Sequence, residues 1–276
     1  MSNFTAVCKF HQQGKCTRGE KCKFIHADSG PAVGVPGDVP SLQSHLGYQP
    51  PIFVQISNDT PIFCIDVECG ATSRDHNGRT PVAIGVADGF GRPVCKLLVK
   101  EIEDKPVLSY LTPITGVTRE EVKQHGKPFE ECISIVRSHL NPRAVIIGQN
   151  ILKDMHWLGL QEGADYAQLI DLSALFRVWN TVRGSWTIFS LDHVAKVWLN
   201  VADRPTHDAL DDALLSMGLF NTYRQVQLDP QRLNYMQMMT INAPITPSFA
   251  SRQGAIEDCC VGHKKSCICG GAFFIS

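Results

Sequence analysis

The sequence predicts an α/β fold whose first strand is central, joined to a small segment that contains several cysteines and histidines. In the middle of the chain, three apolar segments separated by turns come first, and amphipathic helices then alternate with short apolar strands. Cysteines and histidines are concentrated in the first 28 residues. With 276 residues, the chain can hold one ordinary domain and smaller appendages.

The composition supports a sizeable buried core, since 43% of the residues are hydrophobic. No apolar run approaches the roughly 18 residues of a membrane span, so we expect no membrane partner. No signal-peptide pattern is present, and the 11 cysteines are therefore expected to be reduced thiols or metal ligands in an intracellular protein of the nucleus or cytoplasm. Residues 1–30 carry five Lys and Arg against two acidic residues, which indicates a basic tethering module beside a slightly acidic body.

Asp66 and Glu68 lie in an apolar segment, residues 62–68, that predicts a strand buried on both faces. Residues two apart on a strand point to the same face, so these two carboxylates converge. Each close pair of carboxylates repels by about 4 kcal/mol at an effective dielectric constant near 20. Divalent cations remove that cost, and the pair therefore predicts a metal-dependent site.

The other elements follow in order. A turn at residues 88–91 joins two predicted strands, 81–88 and 93–99, which form an antiparallel meander with strand 61–68. The remaining predicted elements are helix 128–140, strand 144–147, helix 150–160, strand 169–172, and helices near 173–179, 190–198 and 208–223. The predicted domains are a small Cys/His-containing domain at 1–28, a Gly/Pro-rich linker at 29–58, the α/β domain at 59–226 and an irregular tail at 227–276.

Near the N-terminus, four ligand-type residues have the spacing C-x7-C-x5-C-x3-H: Cys8, Cys16, Cys22 and His26. Three thiolates and one imidazole suit tetrahedral zinc, and zinc binding of about 10–16 kcal/mol can fold so small a segment. The spacing resembles that of a CCCH zinc finger, and this resemblance implies single-stranded RNA as the ligand. Aromatic and basic side chains beside the ligands suit stacked bases and phosphates: Phe10, Phe24, Lys9 and Lys23. Alternatively, the two phenylalanines pack the finger's own core and the module binds protein.

Three further polar residues follow the first carboxylate pair: Asp154, His207 and Asp212. Each motif alone is weak, but the order of FCIDVEC, IIGQNILKDMHWL and HDALDDA resembles the DEDDh family of 3′–5′ exonucleases. That resemblance covers residues 61–224 and implies an RNase H-like mixed sheet flanked by helices. The segments LIDLSALFR and SLDHVAKVWL are similar to the RNA exonuclease, or REX-like, branch. Asp208 is expected to cap the last helix and leave His207 on the preceding loop.

The resemblance implies a two-metal hydrolysis with Mg²⁺ or Mn²⁺. It implies that Asp66 bridges both ions, that Glu68 and Asp212 hold the ion with the attacking water, and that Asp154 supports the second ion. His207 would be the general base. The expected activity is a 3′–5′ exoribonuclease that releases nucleoside 5′-monophosphates from single-stranded RNA. The alternatives are a non-catalytic RNA-binding adaptor with this fold and a 3′–5′ DNA exonuclease.

A second group of cysteines lies near the C-terminus. The ligand-type residues that could form a tetrahedral zinc site there are Cys260, His263, Cys267 and Cys269. Their spacing matches no pattern that we recognise. The cysteines could also share a metal with distant residues, or they could be ordinary thiols.

Overall fold

The computed structural model describes residues 51–202 and 204–269. The predicted finger and most of the predicted linker lie outside these residues. The strands are β1 (Ile62–Ala71), β2 (Arg79–Asp88), β3 (Pro93–Leu98), β4 (Val145–Gly148), β5 (Gln168–Asp171), β6 (Val178–Asn180), β7 (Ser185–Thr187), β8 (Ala255–Ile256) and β9 (Cys259–Cys260). The helices are α1 (Thr112–Thr115), α2 (Arg119–His125), α3 (Phe129–His139), α4 (Ile151–Leu158), α5 (Leu172–Leu175), α6 (Leu191–Leu199), α7 (Ala209–Val226), α8 (Pro230–Asn242) and α9 (Phe249–Arg252). Within the described ranges, no helix combines the length and apolar character needed to cross a membrane.

The centre of the domain is a five-stranded mixed sheet with the order β3-β2-β1-β4-β5. β1 pairs antiparallel with β2, and β2 pairs antiparallel with β3. β1 and β4 are parallel, as are β4 and β5. The α/β class, the antiparallel meander and the central first strand predicted from the sequence are therefore confirmed.

Both faces of the sheet are covered, which explains why β1 is almost continuously apolar. Successive residues of a strand point to opposite faces, and the neighbours Cys64 and Ile65 are both fully buried. Cys64 belongs to a core that includes Phe220 of α7. Ile65 packs instead in a core with Val136 of α3 and Met155 of α4. The strand that carries the first carboxylates is thus fixed from both sides.

Helix α7 approaches β2 closely because β2 has a glycine at the crossing point. A Cβ atom added at Gly85 would lie 2.2 Å from the backbone of Ala209, the first residue of the helix. Only a residue without a side chain allows this approach. The contact sets the distance between the sheet and the N-terminal turn of α7.

The segment after α7 is more regular than predicted, because helix α8 occupies part of the tail that was expected to be irregular. Pro230 was read as an interruption, but it is the first residue of the helix, where its missing N–H has no cost. Asp229 caps the helix by accepting backbone N–H bonds from the first turn. The indole of Trp198 donates a hydrogen bond of 2.9 Å to Thr240, which attaches α8 to α6.

Two shorter segments also depart from the predictions. The end of the predicted linker contacts the residue that follows α7, since Val54 and Gln227 exchange hydrogen bonds of 2.8 and 2.7 Å. The helix predicted near 173–179 ends early, and a β6–β7 hairpin follows it. Trp179 and Trp186 pack edge to face across that hairpin with ring centroids 5.3 Å apart.

Candidate active site

The structure brings the five residues of the predicted nuclease site together. Asp66 and Glu68 lie on β1, and Asp154 lies in α4. Asp212 lies in the first turn of α7, and His207 lies on the loop before it. The ligand-type atoms of Glu68, His207 and Asp212 lie within 4.8 Å of one another. Asp66 lies near enough to Asp154 and Asp212 for both carboxylates to affect its ionisation.

Three carboxylates of this site, those of Asp66, Glu68 and Asp154, have raised pKa values. Burial raises the pKa of Asp66 well above its usual range, and the charges of Asp154 and Asp212 raise it further. Burial also raises the pKa of Glu68 to about 8, with a further contribution from Asp212. The pKa of Asp154 is raised well above its usual range, mainly by burial. The positive charge near these carboxylates is therefore too small to offset their burial and mutual repulsion.

The donor set fits hard divalent cations. It offers carboxylate oxygens, which Mg²⁺ and Mn²⁺ prefer, and it has no thiolate among its five residues. A bound cation would neutralise carboxylates whose raised pKa values show that they are poorly compensated. The residues that would hold the ions are Asp66, Glu68, Asp154 and Asp212.

Arg204 is a residue of this site that the sequence prediction missed. Its guanidinium forms an ion pair with Asp212. It also contacts Asp192 of α6 at 2.6 Å. Arg204 thus supplies part of the missing positive charge from a loop. A single arginine in a loop next to a proline carries no sequence signal that distinguishes it from a surface residue.

The imidazole of His207 is held by a carboxylate. Its Nδ1 lies 2.8 Å from Oδ2 of Asp212, and its Nε2 lies 3.8 Å from Oδ2 of Asp192. The hydrogen bond to Asp212 raises the pKa of His207, and burial opposes that rise. About a third of the His207 side chain is exposed, at 35%, whereas that of Asp212 is 5% exposed. One ring nitrogen is therefore anchored while the ring stays accessible.

The backbone around His207 is fixed on two sides. Asp208 caps α7, as predicted, by accepting hydrogen bonds from two backbone N–H groups of the first turn. The backbone N–H of His207 donates a bond of 2.8 Å to the carbonyl of Ile114. Gly116, with φ at +68°, passes so close that an added Cβ would lie 2.8 Å from the His207 carbonyl. The α1 segment therefore positions the histidine loop.

Asp154 is placed by a turn between β4 and α4. Asn150, in the left-handed region with φ at +59°, ends the strand and starts the helix. Its backbone N–H donates a bond of 3.1 Å to Asp171, the last residue of β5. The turn directs Asp154 into the sheet, where the backbone N–H of Val67 donates a hydrogen bond to its carboxylate.

A groove adjoins the site. His207, Arg204 and Asp192 line one part of it, and Thr246 and Ala250 of the C-terminal segment line another. The C-terminal segment therefore forms a wall beside the histidine. No pattern in the sequence predicted that this segment lies beside the site.

The C-terminal cysteines converge, but with a different histidine from the one predicted. Ligand atoms of Cys260, Cys267, Cys269 and His76 all lie within 4.8 Å of one another, whereas His263 is not in this group of described residues. Burial raises the pKa of the Cys260 thiol, but backbone hydrogen bonds and His76 outweigh that effect and lower it to about 6. The set of four predicted ligands therefore differs from the observed group at one member.

The N-terminal residues match a known family. Residues 3–28 match the zinc finger of C-x8-C-x5-C-x3-H type (and similar). The first interval in this chain has seven residues instead of eight. The ligands Cys8, Cys16, Cys22 and His26 and the proposed RNA contacts of this finger lie outside the described residues.

Curated proteins match the α/β part of the chain. The small RNA degrading nuclease 3 of Arabidopsis thaliana is 25% identical over 158 residues, which cover 56% of this chain and 19% of that protein. RNA exonuclease 5 of Homo sapiens is 29% identical over 162 residues, which cover 57% of this chain and 19% of that protein. The matched region thus spans about a fifth of the length of these relatives.

Solved structures share the fold at low sequence identity. The Neurospora crassa Pan2 catalytic unit, described as protease and nuclease domain, has a TM-score of 0.55 at 16% identity and covers 73% of this chain and 34% of that one. A Saccharomyces cerevisiae Pan2 pseudoubiquitin hydrolase–RNA exonuclease module in complex with AACCAA RNA has a TM-score of 0.53 at 14% identity and covers 70% of this chain and 35% of that one.

The chain thus has an N-terminal segment, residues 3–28, that matches CCCH zinc fingers, and an α/β domain whose fold is similar to that of a solved nuclease-containing module. The curated proteins most informative about that domain are RNA exonucleases and a small RNA degrading nuclease. The predicted fold class and family resemblance are confirmed.

Proposed function

We propose that this protein is a metal-dependent 3′–5′ exoribonuclease that releases nucleoside 5′-monophosphates from single-stranded RNA and is tethered to RNA by its zinc finger. The observation that carries the proposal is the convergence of four carboxylates and one accessible, carboxylate-anchored histidine. The names of the curated relatives support RNA as the substrate and exonucleolysis as the reaction. A non-catalytic adaptor would have no need to retain this charged, poorly compensated group of side chains.

Bound Mg²⁺ or Mn²⁺ would supply charge neutralisation and an acidified water at the four carboxylates. In hydrolysis, the water oxygen bonds to phosphorus and the bond to the 3′-oxygen of the shortened chain breaks. The Nδ1 of His207 is engaged with Asp212, so Nε2 is the atom that can accept the proton of the attacking water. The released 3′-oxygen takes up a proton, and the terminal nucleotide leaves with its 5′-phosphate.

The test uses 5′-labelled single-stranded RNA and DNA, each with a 3′-hydroxyl or a 3′-phosphate, in buffer with or without Mg²⁺. We expect progressive shortening of the RNA with the 3′-hydroxyl and only with the metal present. General acid–base catalysis contributes about 10²–10⁴-fold, so His207→Ala is expected to lose at least about 100-fold in rate. Asp66→Asn is expected to lose at least as much.

The matched control is Asp211→Asn. Asp211 is exposed and adjacent to buried Asp212 on the same helix, so its substitution is expected to leave the rate within about twofold, as for most surface changes. Asp212→Asn should behave like Asp66→Asn. Internal fragments, shortening of the 3′-phosphate substrate at the same rate, or undiminished degradation by Asp66→Asn would contradict the proposal. Binding of RNA by the wild type without any cleavage would favour the adaptor, and faster DNA cleavage would favour a DNA exonuclease.

A further inference from the structure

A second cluster of metal-ligand side chains lies away from the carboxylates. His76 lies in the connection between β1 and β2, and Cys260 lies in β9, 184 residues later. The Nδ1 atom of His76 is 3.1 Å from the sulfur of Cys269, 3.5 Å from that of Cys267 and 3.9 Å from that of Cys260. Residues from two remote parts of the chain therefore meet at one point.

The separations agree with a tetrahedral metal site. The sulfur of Cys267 lies 3.7 Å from that of Cys260 and 3.6 Å from that of Cys269. Zinc–sulfur bonds of about 2.3 Å and zinc–nitrogen bonds of about 2.0–2.1 Å place neighbouring ligand atoms of a tetrahedron roughly 3.5–3.8 Å apart. A disulfide needs about 2.05 Å, so these sulfur separations do not correspond to covalent pairs.

The backbone supports the same assignment. Backbone N–H groups of Gly262 and Ile268 donate hydrogen bonds to the sulfur of Cys260, which stabilises a thiolate. Gly262 has φ at +77°, and a Cβ atom at this position would lie 3.1 Å from the Cβ of His76. A glycine at this turn therefore lets the C-terminal loop close around the histidine.

We propose that His76, Cys260, Cys267 and Cys269 bind a structural Zn²⁺, separate from the zinc of the N-terminal finger and from the carboxylate site. Three soft thiolates and an imidazole select zinc over Mg²⁺ or Mn²⁺. Four protein ligands fill the tetrahedron and leave no position for substrate, which makes the site structural.

This zinc would hold the wall of the groove in place. Arg79, the first residue of β2, donates a hydrogen bond of 2.5 Å to the carbonyl of Cys260 in β9. The backbone N–H of Cys260 donates a bond of 2.8 Å to the carbonyl of Arg74 in the β1–β2 connection. The hydroxyl of Ser266, in the zinc loop, donates a bond of 2.6 Å to the carbonyl of Ala250 in the wall. The metal would thus link the connection that follows β1 to the segment beside His207.

Zinc content of the full chain tests the proposal without any measurement of activity. The purified protein is dialysed against excess Mg²⁺, which competes for the carboxylates, and zinc is then measured by mass spectrometry. We expect two zinc ions per wild-type chain, one in Cys16→Ser, one in His76→Ala and none in the double variant. His263→Ala is the matched control, since His263 lies in the same loop outside the cluster, and it should keep two.

Two results would overturn the site. In the first, the wild type holds a single zinc ion and Cys16→Ser holds none. This result does not depend on the folding of any variant of the C-terminal cluster. The other is a His76→Ala chain that keeps two ions, or a His263→Ala chain that loses one. Cobalt substitution of Cys16→Ser adds a spectroscopic check: we expect thiolate-to-cobalt absorption, and its absence would also reject the site.

Discussion

At the residue scale, the carboxylate of Asp212 has two partners, the guanidinium of Arg204 and the imidazole of His207. Arg204 pairs with one of its oxygens, and His207 is hydrogen bonded to the other. A metal ion at Asp212 would compete with Arg204 for the same oxygens. Arg204 also contacts Asp192, so it can keep one carboxylate partner when a cation takes the other. We infer that Arg204 holds the carboxylate in position when metal is absent.

The raised pKa values predict how stability depends on pH and metal. Glu68 has a pKa of about 8 in the folded chain against 4.5 as its ordinary value, so the folded state binds more protons between these values. Stability of the metal-free protein is therefore expected to fall as pH rises through this window. Mg²⁺ should raise the melting temperature strongly at about pH 8.5 and little at about pH 5.5, because the cation replaces the protons. Thermal unfolding in metal-depleted and Mg²⁺ buffers measures this.

Glu68→Gln provides the comparison. The variant removes a buried charge, so its metal-free melting temperature at about pH 8.5 should exceed that of the wild type. Its stabilisation by Mg²⁺ should be smaller, since one ligand is lost. Equal Mg²⁺ shifts in the two proteins at both pH values would show that Glu68 is not part of a cation site.

At the residue scale, the sequence predicted site residues where ligand-type side chains occur in a recognisable local pattern. Asp66, Glu68, His207 and Asp212 were predicted from the order of three motifs that resembles the DEDDh family, and the structure places Glu68, His207 and Asp212 together. His76 was missed because its partners lie 184 to 193 residues away, and only the folded chain shows that proximity. The nearby His263 had the better local spacing, and local spacing does not report which histidine reaches the thiols.

At the scale of elements, the packing of α7 against β2 controls where Asp212 and His207 lie. Gly85→Ala would place a Cβ atom 2.2 Å from the backbone of Ala209, which only a shift of the helix can relieve. Overpacking costs about 1–3 kcal/mol, and we expect a loss of that size in the free energy of unfolding. We also expect a fall in nuclease rate, because the helix carries Asp212 and begins two residues after His207. Urea unfolding and the RNA assay measure the two effects.

Gly218→Ala, within the same helix, is the control. A Cβ atom there would meet only a side-chain carbon of Leu199 at 3.5 Å, an ordinary contact. Alanine is favoured over glycine in a helix by roughly 0.5–1 kcal/mol, so this variant should be slightly more stable and fully active. If Gly218→Ala also lost stability, the loss in Gly85→Ala would be explained by a general sensitivity of α7 packing to substitution and not by the close approach at Gly85.

The strands of the sheet and helix α7 could be predicted because each has a strong periodic pattern of apolar residues and is bounded by a cap or a turn. Helix α8 was not predicted, since the tail was expected to be irregular, although Asp229 caps the helix and Pro230 is its first residue. Its register against α6 depends on a bond between Trp198 and Thr240, whose partners lie 42 residues apart. Contacts between residues so far apart decide whether a polar segment forms a helix, and they produce no periodic pattern in the sequence.

At the scale of the whole molecule, the proposed function gives the finger and the α/β domain separable tasks. A finger that holds RNA raises the effective concentration of the same strand at the active site, which lowers KM without changing the chemical step. This benefit requires an RNA long enough to reach both parts. A substrate of only a few nucleotides should gain nothing from the finger.

Phe10→Ala combined with Phe24→Ala tests this division. Base stacking on an aromatic ring contributes about 1–3 kcal/mol, so the KM for a long single-stranded RNA should rise by roughly tenfold or more, with kcat retained. The KM for a few-nucleotide RNA should be unchanged. Zinc content equal to that of the wild type would show that the finger remains folded in the variant. A fall in kcat, or the same rise in KM for both RNA lengths, would mean that these phenylalanines act on folding or on the nuclease domain and not through tethering.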